Sequence, residues 1–150
     1  MITGIHHTSR GVTDMEAALR FYRDLLGFRP GKEIEVEGEP ADTLLGLRDV
    51  KLRAAYLERD GVTLELLRFA RPPAPPPRRR TLHEHGLTHL SFRVADLDAT
   101  LAAVRAAGER VLDETLIRVP ASGAAACFVT DPDGQLIELV QSREGKPRAA

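Results

Sequence analysis

Two histidines and two glutamates recur at matched places in this chain of 150 residues, and they are its main chemical signal. His7 is answered by His89, 82 positions later, and at the same offset Val12, Asp14 and Leu19 are answered by Val94, Asp96 and Leu101. Glu65, in Asp60-Gly61-Val62-Thr63-Leu64-Glu65-Leu66-Leu67, is answered 73 positions later by Glu138, in Asp133-Gly134-Gln135-Leu136-Ile137-Glu138-Leu139-Val140. Two imidazoles and two carboxylates make a suitable shell for one divalent cation and leave positions for water or substrate. Taken singly, each residue has an ordinary reading. A strand histidine is usually a hydrogen-bonded structural residue, and a strand glutamate usually faces solvent. The paired recurrence favours the metal, because both glutamates stand among leucine, isoleucine and valine, where an unpaired charge is costly.

Convergence of the four residues requires elements that deliver them to one place. Each half reads as strand, helix and three strands, from a switch between alternating and helical hydrophobic spacing and back. The expected fold is therefore α+β, with two tandem βαβββ modules. Thr13-Asp14-Met15-Glu16 has the form of a capping box, an apolar stripe follows to Leu26, and Gly27 is placed to end a helix over 14–26. Asp96 caps a second helix carrying Leu97, Leu101, Val104 and Ala107, stopped by Gly108. Later strands are expected at 28–37, 50–58, 62–69, 110–118, 124–130 and 135–141. Asp60-Gly61 and Asp133-Gly134 are turn pairs ahead of the last strand of each half.

His7 and His89 then fall in first strands and Glu65 and Glu138 in last strands, so packing about a pseudo-twofold axis brings all four to one point. The modules are expected at 1–70 and 86–142, with a Pro/Arg-rich linker at 71–85 and a flexible tail at 143–150. The change of offset makes the second half nine residues shorter between its two motifs.

The 21 basic and 22 acidic residues are interspersed, and a net charge of −1 creates no field suited to nucleic acid or an anionic membrane. A small-molecule partner is expected instead. No stretch approaches the roughly 18 apolar residues of a membrane span, and MITGIHHTSRGV lacks the order of a signal peptide, so a cytoplasmic location is expected. Cys127 stands alone, which excludes an internal disulfide and a thiolate cluster, and its setting in AAACFV marks a core residue. Strand alternation assigns His6 to the face opposite His7. His83, His85 and the Arg78-Arg79-Arg80 tract read as solvated. There is no serine elbow and no phosphate-cradling glycine loop.

Four segments carry a wider likeness: Gly4-Ile5-His6-His7 with Val12-Thr13-Asp14; Phe21-Tyr22-Arg23-Asp24-Leu25-Leu26-Gly27-Phe28; Gly86-Leu87-Thr88-His89-Leu90-Ser91-Phe92-Arg93-Val94; and Asp131-Pro132-Asp133-Gly134-Gln135-Leu136-Ile137-Glu138-Leu139. With them the chain resembles the vicinal oxygen chelate superfamily, from about residue 2 to 142. That superfamily includes glyoxalase I, methylmalonyl-CoA epimerase, extradiol dioxygenases, and fosfomycin and bleomycin resistance proteins. The resemblance implies paired βαβββ modules curled round a metal cleft, often in a homodimer, with His7, Glu65, His89 and Glu138 as ligands. Such a ligand set looks most like bacterial glyoxalase I. The arginine- and asparagine-containing segment with which glyoxalase I holds glutathione is not found here, nor is the second catalytic carboxylate of the epimerases in Leu52-Arg53-Ala54-Ala55-Tyr56.

The leading expectation is a metal-dependent isomerase or lyase acting on a small carbonyl compound. One divalent ion (Ni, Co, Zn, Mn or Fe) would stabilise an enediolate, with Glu138 or Glu65 as the base. Two alternatives stand beside it: an extradiol-type dioxygenase, and a protein that binds a drug or metabolite without chemistry. Arg53, Tyr56 and Arg93 are candidate cleft contacts.

Overall fold

The computed structural model describes residues 1–77 and 81–142. In its first half the elements follow in the order β1 (Thr8–Gly11), α1 (Met15–Leu19), a π-helical continuation over Arg20–Leu25, β2 (Arg29–Glu37), α2 (Glu39–Leu45), β3 (Lys51–Arg59) and β4 (Val62–Arg71). The second half has β5 (His89–Arg93), α3 (Leu97–Ala106), β6 (Val111–Val119), β7 (Ala124–Thr130) and β8 (Leu136–Gln141). Two compact units divide between residues 77 and 78. Each holds one mixed sheet, in the orders β1-β4-β3-β2 and β5-β8-β7-β6, with the first strand parallel to the last and the other pairs antiparallel. This is the α+β arrangement of repeated βαβββ modules that the sequence repeat predicts.

One face of each sheet is closed by a helix. Met15, Ala18 and Leu19 of α1, with Phe21 and Tyr22 beyond them, are buried together with Ala55, Leu57, Leu64 and Leu66 of the first sheet. In the second unit Leu97, Leu101 and Val104 of α3 share a core with Ala125, Cys127, Val129, Ile137 and Leu139. Cys127 is 1% exposed, the core residue that its apolar setting predicts. The opposite faces carry Glu65 and Glu138.

Four local features differ from the sequence expectation. Asp14, not Thr13, caps the first helix, its carboxylate accepting from the N–H groups of Glu16 and Ala17 at 2.9 and 3.0 Å. Asp96 plays the same part at α3, accepting from Ala99 at 2.9 Å, so the repeated aspartate was the better guide to the cap. Second, the helix predicted over 14–26 widens after Leu19, where Leu26 N–H reaches Phe21 O at 2.9 Å in an i to i−5 bond. The widening accompanies burial of two adjacent rings, Phe21 and Tyr22.

Third, α2 was not predicted. Residues 38–50 between β2 and β3 correspond to only 120–123 between β6 and β7, and the nine-residue excess is taken up by this short helix. Its single buried residue, Ala41, leaves too little apolar periodicity to register in sequence. Fourth, the two turn pairs are not equivalent. Asp60 and Gly61 form the tight hairpin with φ of 50° and 77°, whereas in the second unit the Asp131 carboxylate organises the turn by accepting from Asp133 and Gln135. The Arg78-Arg79-Arg80 tract and the tail at 143–150 lie outside the described residues. No helix among the described residues is long and apolar enough to cross a membrane.

Candidate functional site

Register puts each glutamate between a serine and an aromatic ring. Glu65 stands opposite Ser9 of β1 and Tyr56 of β3, and Glu138 stands opposite Ser91 of β5 and Phe128 of β7. Side chains directly opposite on paired strands share a face, so each carboxylate meets its two neighbours. Ser9 Oγ donates to Glu65 Oε2, and Ser91 Oγ donates to Glu138 Oε2 at 2.7 Å. The histidines approach the same oxygens: His7 Nε2 lies 3.2 Å from Glu65 Oε2, and His89 Nε2 lies 3.6 Å from Glu138 Oε2.

The other imidazole nitrogens are occupied as well. His7 Nδ1 lies 2.6 Å from His6 Nδ1, and His89 Nδ1 lies 3.0 Å from the Thr88 hydroxyl. A proton on Nδ1 directed at such a partner leaves the Nε2 lone pair free, the arrangement found at histidine metal ligands. His6 was expected to point away from His7 by strand alternation. That expectation fails because β1 begins only at Thr8, so residues 6 and 7 are not in a strand and their rings meet edge to face.

The two half-sites differ in one respect with chemical consequences. The Tyr56 hydroxyl donates to Glu65, and this bond, then burial, then the carboxylate charge, push the phenol up to about 12. Phe128 at the matching place has no hydroxyl. Glu65 therefore has two hydroxyl donors and a side chain only 10% exposed, while Glu138 has one and is 27% exposed. Rings also flank the histidines, Tyr56 edge-on to His7 and Phe128 edge-on to His89.

The donor chemistry fits a divalent cation. In each unit an imidazole Nε2 and a carboxylate oxygen face one another, a pair that either a proton or a divalent cation can bridge. Each unit supplies one His–Glu pair. Among the described residues no group of three or more His, Cys, Asp or Glu side chains is gathered as a metal site. Of the other candidates, Tyr56 is on the glutamate's face and Arg93, opposite Val140, is on the face of Glu138. Arg53 is not a cleft contact. It lies on the α1 side, bonded to Glu16 at 2.7 Å and to Glu33 at 2.6 and 3.0 Å, beside a cavity of about 500 Å³ that also takes in Asp14, Glu35 and Arg68. Sequence reasoning missed Ser9, Ser91 and the paired roles of His6 and Thr88. The 82-residue offset that links the histidines links these positions too, and would have found them.

Comparison with known proteins places the chain among relatives of the same fold. The family model described as "Glyoxalase/Bleomycin resistance protein/Dioxygenase superfamily" matches residues 4–139. A protein of Escherichia coli K12, the uncharacterized YaeR, is 34% identical over 91% of this chain and 95% of its own. The lactoylglutathione lyase of Haemophilus influenzae is 31% identical over 95% of each chain. Among solved structures, a glyoxalase family protein from Bacillus cereus superposes with a TM-score of 0.83 at 23% identity over 95% of each chain.

Proposed function

Since the chain belongs to the glyoxalase/bleomycin resistance protein/dioxygenase superfamily, we propose that it is a metal-dependent lyase or isomerase of a small carbonyl compound, using His7, Glu65, His89 and Glu138 around one divalent cation. The observation that carries this reading is the duplicated arrangement itself: in both units Nδ1 is partnered and Nε2 faces a serine-oriented carboxylate. The likeness to a lactoylglutathione lyase at 31% identity supports a thiol-linked carbonyl compound as the substrate type.

When bound, the cation would polarise the carbonyl and offset the negative charge that develops after loss of an acidic C–H proton. The protein's own part is to hold that charge, to position the reacting carbon and to move the proton. The contrast between the half-sites divides the labour of the glutamates. Glu65, held in place by the Ser9 and Tyr56 hydroxyls, serves as an anchor. Glu138, with one hydroxyl donor and greater exposure, is the group free to take the proton from one carbon and return it to the neighbouring one.

Elemental analysis of untagged protein tests the metal reading. About one divalent ion per chain is expected, and His7→Ala, Glu65→Gln, His89→Ala and Glu138→Gln should each weaken its retention; wild type that stays empty after incubation with Ni, Co, Zn, Mn and Fe would falsify it. Turnover of methylglyoxal with glutathione then tests the reaction, with Glu138→Gln expected to lose more kcat than Glu65→Gln when both are metal-loaded. A homodimer with shared sites is tested in the same preparations: equal amounts of His7→Ala and His89→Ala chains, allowed to exchange subunits, should regain about a quarter of the wild-type metal content, since half of the dimers are mixed and each mixed dimer has one intact site; no recovery after exchange refutes sharing.

A further inference from the structure

The register of β2 against β3 breaks at one place. Pro30 pairs with Leu57 and Glu33 with Ala55, so that Gly31 and Lys32 together oppose the single residue Tyr56. This is a β-bulge, a device that re-aims a side chain. Gly31 is required by the close approach: a Cβ there would lie 2.9 Å from the Tyr56 carbonyl oxygen, a backbone atom that cannot turn aside. The bulge carries Lys32 over the Tyr56 ring, with Nζ 4.6 Å from the centroid. That ring bonds Glu65 through its hydroxyl and meets His7 edge-on. One ammonium thus stands a single tyrosine ring away from the first half-site.

Lys32 has no carboxylate partner among the described residues. Among the carboxylates of β2 and β3, Glu33 is paired with Arg53, Glu37 with Lys51 and Glu58 with Arg29. A contact with one ring face leaves N–H donors of the ammonium for an anion. No cation stands over Phe128, the matching ring of the second unit, among the described residues.

We propose that Lys32 recognises a carboxylate of the substrate, so that the carbonyl compound handled by this protein is an acid whose charged group lies at a distance from its reacting oxygens. The proposal rests on the reading of His7 and Glu65 as metal ligands, since these define where the reacting oxygens sit. Its ligand chemistry is separable from the reaction.

Two probes isolate the distal charge: 2-oxoglutarate, and 2-oxopentanoate, which has the same five-carbon chain without the second carboxylate. Their binding to the whole chain, after incubation with Ni, Co, Zn, Mn and Fe in turn, is measured by calorimetry for wild type, Lys32→Met and Lys32→Arg. Wild type should prefer 2-oxoglutarate by roughly tenfold, as expected for a charge-assisted contact near the surface, and the preference should shrink as salt is raised. Lys32→Met should abolish the preference without changing affinity for 2-oxopentanoate, and Lys32→Arg should keep most of it. Equal binding of the two acids by wild type, or a preference that survives in Lys32→Met, overturns the proposal. Metal content of the same preparations separates the two failures: a Lys32-dependent preference in protein that retains no metal refutes the metal reading alone, and metal retained without the preference refutes the role of Lys32 alone.

Discussion

Replacing Tyr56 with phenylalanine makes the first half-site a copy of the second, where Phe128 already stands, and its cost can be worked from the contacts. Glu65 is 8% exposed and has two hydroxyl donors, Ser9 and Tyr56. A hydrogen bond to a charged group contributes about 1.5–3 kcal/mol, and because Ser9 remains in place the lower end applies. The metal-free variant should therefore lose about 1.5 kcal/mol, or roughly 3–6 °C in Tm for a chain of this size. The larger effect should fall on the metal, since removing a group that orients a ligand typically weakens affinity about 10- to 100-fold. Competition with a chromophoric chelator measures that affinity, and calorimetric melts with and without metal measure the rest. The reciprocal change, Phe128→Tyr, should tighten metal binding by adding a donor near Glu138 while lowering kcat by immobilising the base. A Tyr56→Phe protein with metal affinity within about twofold of wild type would refute the assignment of Tyr56 as the residue that positions Glu65.

Two predictions concern the frame that holds the site. Leu64→Ala, next to Glu65 on the helix-covered face and 1% exposed, should cost about 3 kcal/mol in denaturant unfolding through lost burial and a residual cavity; a cost below 1 kcal/mol would contradict the packing. Asp14→Ala should destabilise the protein at neutral pH by exposing the N–H groups of the first helical turn. The backbone N–H of Ala17 is the main cause that holds the Asp14 carboxyl below the ordinary carboxylate range. A depressed value means that the stabilisation is present above the unfolded-state pKa and is lost as pH falls through the folded one. The gap between wild type and variant should accordingly close in acid, and a gap independent of pH down to the acid limit of folding would count against the cap.

The sequence alone was enough to find a duplicated module because a repeat is a statement about residue order, and order survives without coordinates. Matched offsets picked out both His–Glu pairs, and alternating hydrophobicity placed nearly every strand to within two residues, since a half-buried strand must alternate. The cap and the extra helix were less legible for local reasons. Thr13 and Asp14 are both competent caps and only backbone geometry chooses between them, while α2 is too short and too exposed to leave a periodic pattern.

What tertiary structure decided is everything that depends on register. Pairing Glu65 with Tyr56 and Glu138 with Phe128 made two similar carboxylates chemically different, and a one-residue shift of either strand would have turned the glutamate to the helix-covered side. The same pairing sent Arg53 to Glu16 and Glu33, and a single extra residue in β2 set Lys32 over the Tyr56 ring. Residue types and their recurrence are written in the chain. Which of them meet is settled only when strands choose partners, because contact across a sheet joins residues tens of positions apart.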